Sequence, residues 1–242
     1  MKSDIFATGF RPQPYWWDDI PRDEAAGLPA DSLPSRADVV VIGSGYAGLH
    51  AAISLARIGS DVVVLEAGPL GFGASTRNGG MVSGGVNIGK HASIEGARAD
   101  EMLAEAAQSY SWFENFIRDE GIDAVYQPCG RFVGAHCEAA RIRQADQLAR
   151  LNDIAASGAS MVPPERTRDH VNTGFYRGGM LLERSGAVHP AKLHHGVLGI
   201  AKAAGVRLFA NIRAGRIIRA GTGLGVETVS YTHLTLPTNR EV

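Results

Sequence analysis

The chain has 242 residues, 45% of them apolar and 20% charged, with a formal net charge of −1 and a pI near 6.7. That is apolar material for one large domain or two modest ones, with no basic field for nucleic acid or an anionic membrane and no run approaching the ~18 apolar residues of a membrane span. Cys129 and Cys137 stand eight apart, which suits neither a redox Cys-x-x-Cys pair nor a zinc site, so two reduced thiols in a cytoplasmic protein are expected.

In chain order, residues 1–36 read as an extension. Pro12, Pro14, Pro21, Pro29 and Pro34 leave little room for regular structure. Tyr15, Trp16 and Trp17 are expected to pin this arm by apolar burial; a platform for a nucleobase or a partner is the alternative. The segment "DVVVIGSGYAGLHAAISLARIGSDVVVLEAG" follows. Val39 to Ile42 predict a parallel strand buried on both faces. Gly43, Gly45 and Gly48 then satisfy G-x-G-x-x-G spacing where the chain should turn into a helix. The first glycine permits the turn, the second admits a pyrophosphate to the backbone, and the third lets helix and strand pack closely. With Ser44, Tyr46 and Ala47 they present N–H groups at the positive end of a helix dipole. Ala52 and Leu55 continue the apolar helix face, Gly59 ends the helix, and Val62 to Leu65 predict a second buried strand. Glu66, 23 positions after Gly43 and followed by Ala67, is placed to accept hydrogen bonds from a ribose diol and to repel a 2′-phosphate, which disfavours NADP. A glycine-rich turn in an unrelated α/β protein is the alternative; strand, triplet, helix, strand and acid in one run weigh against it.

The next loop, "AGPLGFGASTRNGGMVSGG", departs from a nicotinamide-binding domain, which would enter its next helix or strand soon after the acid. Together, Asp38 to Gly68, Gly73-Ala74-Ser75 and Arg77-Asn78-Gly79-Gly80, with the weaker "YRGGMLLERSGAVHPAKL", resemble the D-amino-acid-oxidase-like flavoproteins. The likeness covers roughly Ala37 to Thr228 and is strongest to the γ-glutamylputrescine oxidoreductase branch. It implies FAD rather than NAD. Ser75 and Arg77 can then meet the pyrophosphate and ribityl chain. Asn78, Gly79 and Gly80 would bring backbone against the flavin ring, where a Cβ would collide, with Thr76 and Met81 completing the stretch. In the alternative, Arg77 is a surface charge and Asn78 a turn residue. Some relatives in this family carry a loop histidine bonded covalently to the flavin; Asn78 stands at that point here, which implies non-covalent FAD.

Further along, Leu103, Ala106, Tyr110, Phe113 and Ile117 mark one face of a helix over 99–119. "DAVYQPCGRFVGAH" reads as two short strands around Pro128-Cys129-Gly130, and residues 137–157 read as another helix. Gly178 and Gly179 precede an apolar pair, Ser185-Gly186 reads as a turn, and Pro190 starts a helix at its favoured first position. His189 reads as a cap or packing residue rather than a catalyst. His194 and His195 point about 100° apart on that helix and cannot easily share a metal. "GVRLFANI" predicts a third strand of the cofactor sheet, and Arg216–Ala220 with Leu224–Thr228 a hairpin.

These elements predict an α/β fold. An incomplete Rossmann-type FAD-binding domain (37–120 and 190–228) is joined by part of a mixed α+β substrate domain (121–189). The resemblance implies an enzyme that oxidises the CH–NH group of a small-molecule amine or amino acid: a hydride passes to flavin N5, and the resulting imine is hydrolysed to a carbonyl. No catalytic side chain and no metal ligand is assigned, and no nucleic-acid partner is expected. A flavin- or ADP-binding protein without turnover is the alternative. Finally, "VSYTHLTLPT" back-translates to a sequence resembling the end adapter of transposase-based sequencing libraries. Val229–Val242 is therefore read as a non-native tail on an N-terminal fragment, a natural divergent C-terminus being the alternative. The oxidation is expected of the full-length parent, and the fragment is expected to leave Val39–Ile42 on an open strand edge and to be inactive by itself.

Overall fold

The structure is a computed structural model that describes residues 9–11, 13–20, 27–83, 97–155, 157–221, 223–229 and 234–236. In chain order its strands and helices are β1 (Val39–Ile42), α1 (Tyr46–Arg57), β2 (Val62–Leu65), β3 (Met81–Ser83), α2 (Ala97–Asp119), β4 (Arg131–Gly134), α3 (Glu138–Ala155), β5 (Ala159–Val162), β6 (Gly179–Leu182), β7 (Ser185–Ala187), α4 (Pro190–Ala203), β8 (Arg207–Phe209), β9 (Ala214–Ala220), β10 (Gly223–Thr228) and β11 (Leu234–Leu236). Two compact units divide the chain, residues 1–79 with 190–242 and residues 80–189.

In the first unit β1, β2 and β8 form a parallel sheet in that order, with Val39 opposite Val62 and Val63 opposite Arg207. β2 is central, and all four of its valine and leucine side chains are buried. β1 stands at the edge of this sheet. Its first three residues are half-buried and Ile42 is 53% exposed, because among the described residues it has a strand on one side only. The run of branched apolar residues specifies a parallel strand correctly but does not say how many neighbours that strand has. α1 buries Leu49, Ala52 and Ile53, and α4 buries Ala191, His194, Val197, Leu198 and Ala201, each a stripe at helical spacing.

The core of this unit gathers Ala37, Val63, Leu65, Phe209, Ile212 and Val226, with Ala30 and Leu33 of the N-terminal arm packed against it. The arm is anchored at this point by its backbone, Leu28 N–H donating to Leu208 O at 2.7 Å. β9 and β10 make the expected hairpin, slightly longer than predicted, and β11 pairs antiparallel with β10. β11 falls within the segment read as a foreign tail; residues 230–233 and 237–242 of that segment lie outside the described residues, as do Gly84 and Gly85 of the glycine-rich loop.

In the second unit β4, β6 and β5 form an antiparallel sheet, and β3 pairs with β7. Leu103 of α2 and Leu151 of α3 pack with Ala159, Met180 and Leu182. α2 therefore belongs with this unit, whereas the sequence boundary at 120/121 placed it in the first. Its buried face runs through Leu103, Ala107, Tyr110 and Ile117, while Ala106 and Phe113 are half-buried.

Two further expectations are corrected here. Residues 123–127, just before Pro128, form no strand: Val125 has φ +50°, outside the β region, and Gln127 makes only an isolated bridge to Ala187. Ser185-Gly186 is not a turn but part of β7. Gly186 is small because a Cβ there would lie 2.6 Å from Tyr126 Cε2 and 2.7 Å from Gln127 O, so close approach, not turning, sets the residue.

Candidate functional site

The end of β1, the start of α1 and the residues after β2 make one constellation in the first unit. Gly43 has φ +98°, a conformation costly for any residue with a Cβ, and it reverses the chain from strand to helix. Gly48 is glycine for space, since a Cβ there would lie 2.1 Å from Gly43 O. At Gly45 a Cβ would lie 3.2 Å from Ser75 Oγ, so its absence leaves a shallow cradle between the turn and the Ser75 loop. The N-cap residue of α1, Gly45, has no side chain to cap it, and the first-turn N–H groups have no acceptor within the helix. Tyr46 N–H donates to Ser75 Oγ at 3.3 Å.

Glu66 ties the turn to the end of β2. Its Oε2 accepts from Ser44 N–H at 2.9 Å and from Ser44 Oγ at 2.8 Å, and its Oε1 accepts from Gly68 N–H at 3.2 Å. A carboxylate has room for about four such bonds, so one further donor, such as a ribose hydroxyl, can be accommodated. Ala67 follows it in the bend that leads away from β2.

The loop after it is organised by aromatic residues of the N-terminal arm. Ala74–Thr76 forms a short 3-10 turn. Thr76 is buried, its hydroxyl donating to Gly71 O at 2.6 Å and accepting from Trp17 Nε1 at 2.8 Å. Arg77 Nε donates to Phe72 O at 2.6 Å, and its guanidinium lies 4.0 Å from the Phe72 ring centre and 4.8 Å from that of Trp17. Asn78 closes the turn, its amide donating to Ala74 O and Ser75 O at 3.2 and 3.0 Å, while its own carbonyl accepts from Trp16 Nε1 at 3.0 Å. The arm is thus held by two indole N–H groups as well as by apolar contact. Tyr15, 77% exposed, takes no part in burial.

The structure brings Gly43, Ser44, Gly45, Tyr46, Ala47, Gly48, Glu66, Ala67 and the segment Ser75–Gly79 into the first unit, whereas Gly80 and Met81 open the second. Sequence reasoning missed His194. It is 3% exposed, and its Nε2 lies 2.7 Å from Ser44 O. Burial lowers its pKa. Tyr46 Oη also reaches α4, donating to Pro190 O at 3.0 Å, with its phenol pushed up to about 12 by burial. The available signal was a polar residue on the apolar stripe Ala191, His194, Val197, Ala201. Among the described residues there is no metal-binding cluster, and no helix is long and apolar enough to cross a membrane.

Residues 38–236 match the family described as FAD dependent oxidoreductase, DAO. A probable oxidoreductase OrdL of Rhizobium meliloti (strain 1021) is 29% identical over 90% of this chain and 52% of its own length. The γ-glutamylputrescine oxidoreductase of Escherichia coli (strain K12) is 31% identical over 71% of this chain and 41% of its own. The chain thus spans about half the length of the curated relatives it matches. Glycine oxidase from Geobacillus kaustophilus, at 19% identity, shares the fold with a TM-score of 0.74 over 84% of this chain and 54% of that one. A glycine turn that must be glycine, an acid at the end of the second strand and a match across most of the sequence converge, and the chain belongs to the FAD-dependent oxidoreductase family.

Proposed function

We propose that the full-length protein binds FAD non-covalently and oxidises the CH–NH group of an amine or amino acid. The observation that carries the cofactor half is the cradle at Gly45, between a helix N-terminus whose N-cap is a glycine and Ser75, with Glu66 fixed beside it. Backbone N–H groups at the start of α1 would receive the pyrophosphate, aided by the helix dipole. Glu66 would accept from the ribose, and its charge disfavours a 2′-phosphate. Ser75 and Arg77 would border the phosphates and ribityl chain. Asn78, Gly79, Gly80 and Met81 would lie toward the ring.

When bound, FAD supplies the acceptor for the hydride lost from the substrate carbon. The task of the chain is to orient and to shield. The arm and the Ser75–Asn78 turn stiffen one another through the Trp16 and Trp17 hydrogen bonds, which would fix the backbone that borders the cofactor. Asn78 supports a non-covalent cofactor, because an amide nitrogen is a poor nucleophile and this one already donates to two carbonyls.

Amine chemistry is favoured by the likeness to the γ-glutamylputrescine enzyme. An anaerobic titration of the flavin-loaded protein with primary and secondary amines, amino acids, alcohols and thiols tests it. Bleaching of the flavin absorbance by amines or amino acids is expected. Bleaching by alcohols or thiols alone refutes the substrate class, and no bleaching by any of them favours a binding protein without turnover.

A further inference from the structure

We infer that His194 is a positioning residue for the cofactor's pyrophosphate, acting through the Ser44–Gly45 peptide; the inference rests on the cofactor reading above. The carbonyl of Ser44 can only accept, so the 2.7 Å contact makes His194 Nε2 the donor. Burial, which disfavours the charged ring, leaves a neutral imidazole with its proton on Nε2. Ser44 C=O and Gly45 N–H belong to one planar trans peptide and point in opposite directions. Anchoring the carbonyl on α4 therefore turns the Gly45 N–H away from α4. It is then presented to the side of the turn where the missing Cβ of Gly45 allows a phosphate to approach.

The surroundings are built for this contact. The Ser44 side chain and N–H are held separately by Glu66, so the two faces of the Ser44 unit are fixed from α4 and from β2. Gly71, at φ +75°, makes room for the ring: a Cβ there would lie 2.9 Å from His194 Cε1 and 3.0 Å from Nδ1. The Tyr46 to Pro190 hydrogen bond and the packing of the Tyr46 and His194 rings, 5.9 Å between centres, hold α1 and α4 in register. A donor hydrogen bond to a peptide carbonyl also polarises the N–H of the same peptide.

The test compares wild type, His194→Gln and His194→Leu, each freed of flavin, for equilibrium binding of FAD and of ADP, alongside their urea midpoints. Glutamine keeps an N–H donor near the position of Nε2, and leucine keeps the volume without a donor. His194→Leu should bind both ligands about tenfold more weakly, the scale of one buried hydrogen bond. His194→Gln should return to within about threefold of wild type. FAD and ADP should weaken in parallel, because the pyrophosphate is what they share. The inference is overturned if His194→Leu binds as wild type, whatever its midpoint. It is equally overturned if the glutamine variant is as weak as the leucine variant while remaining as stable as wild type. Failure of wild type to bind either ligand overturns the cofactor reading itself.

Discussion

Replacing Gly48 by alanine tests the turn by its dimensions. The new Cβ would lie 2.1 Å from Gly43 O, 3.2 Å from Gly43 C and 3.3 Å from Val41 Cγ1. Cβ contacts below 3.0 Å are essentially never seen, so helix and turn must separate by about 0.9 Å, the difference between 3.0 and 2.1. The carbonyl cannot simply swing aside, because the Ser44 N–H of the same peptide is already committed to Glu66 Oε2 at 2.9 Å. Overpacking of this kind costs about 1–3 kcal/mol, more where backbone meets backbone. Against it stands the helix preference for alanine over glycine, about 1 kcal/mol. With the cost at the upper end, about 3 kcal/mol, the net expectation is a loss of about 2 kcal/mol, read as a lower urea midpoint at unchanged slope. Gly199→Ala is the control. It lies in α4 with nothing within 4 Å of the added Cβ, so only the helix preference acts, and a gain of about 0.5–1 kcal/mol is expected. A Gly48→Ala protein with a midpoint at or above wild type refutes the steric account of the turn.

Two further outcomes are expected. Trp17→Phe keeps the ring beside Arg77 and Phe72 but removes the N–H donated to Thr76 Oγ1 at 2.8 Å. Stability should fall by about 1 kcal/mol, and a Trp17→Phe protein as stable as wild type by urea unfolding would show that the indole bond does not hold the loop. Acid should weaken the fold through His194 and His50, whose pKa values burial lowers in the folded state. The unfolded chain then binds protons more readily, so stability is complete above about pH 6.5 and is lost as pH falls from there through the folded values. His195 and Glu66 bear on His194 with opposite sign, the first lowering and the second raising its pKa. His194→Gln should flatten the urea-midpoint profile below about pH 6.5, and a profile unchanged by that substitution contradicts the burial argument.

Local chemistry made the strand, turn and helix around Gly43 legible, because each glycine there answers to one constraint, φ at Gly43 and space at Gly48. Helical stripes likewise identified α1 and α2, and Pro190 marked the start of α4. What the sequence could not convey were contacts between distant segments. His194 lies 150 residues from Ser44, and Trp17 lies 59 from Thr76. Gly186 shows a second limit. The same residue type serves turns and close approaches, and only the position of Tyr126 reveals which applies. Arg77 shows a third: a cation in a glycine-rich loop reads as a ligand contact, yet here it also lies over two aromatic rings, Phe72 of the same loop and Trp17 of the N-terminal arm.

The central claim, that the glycine turn and Glu66 serve a non-covalent FAD, is tested most directly by acid precipitation of the purified full-length protein and mass analysis of both fractions. The account predicts FAD in the supernatant, close to one per chain, and a colourless pellet of unmodified polypeptide mass. Flavin remaining on the pellet contradicts the non-covalent assignment, and a supernatant carrying NAD with no FAD contradicts the cofactor assignment as a whole.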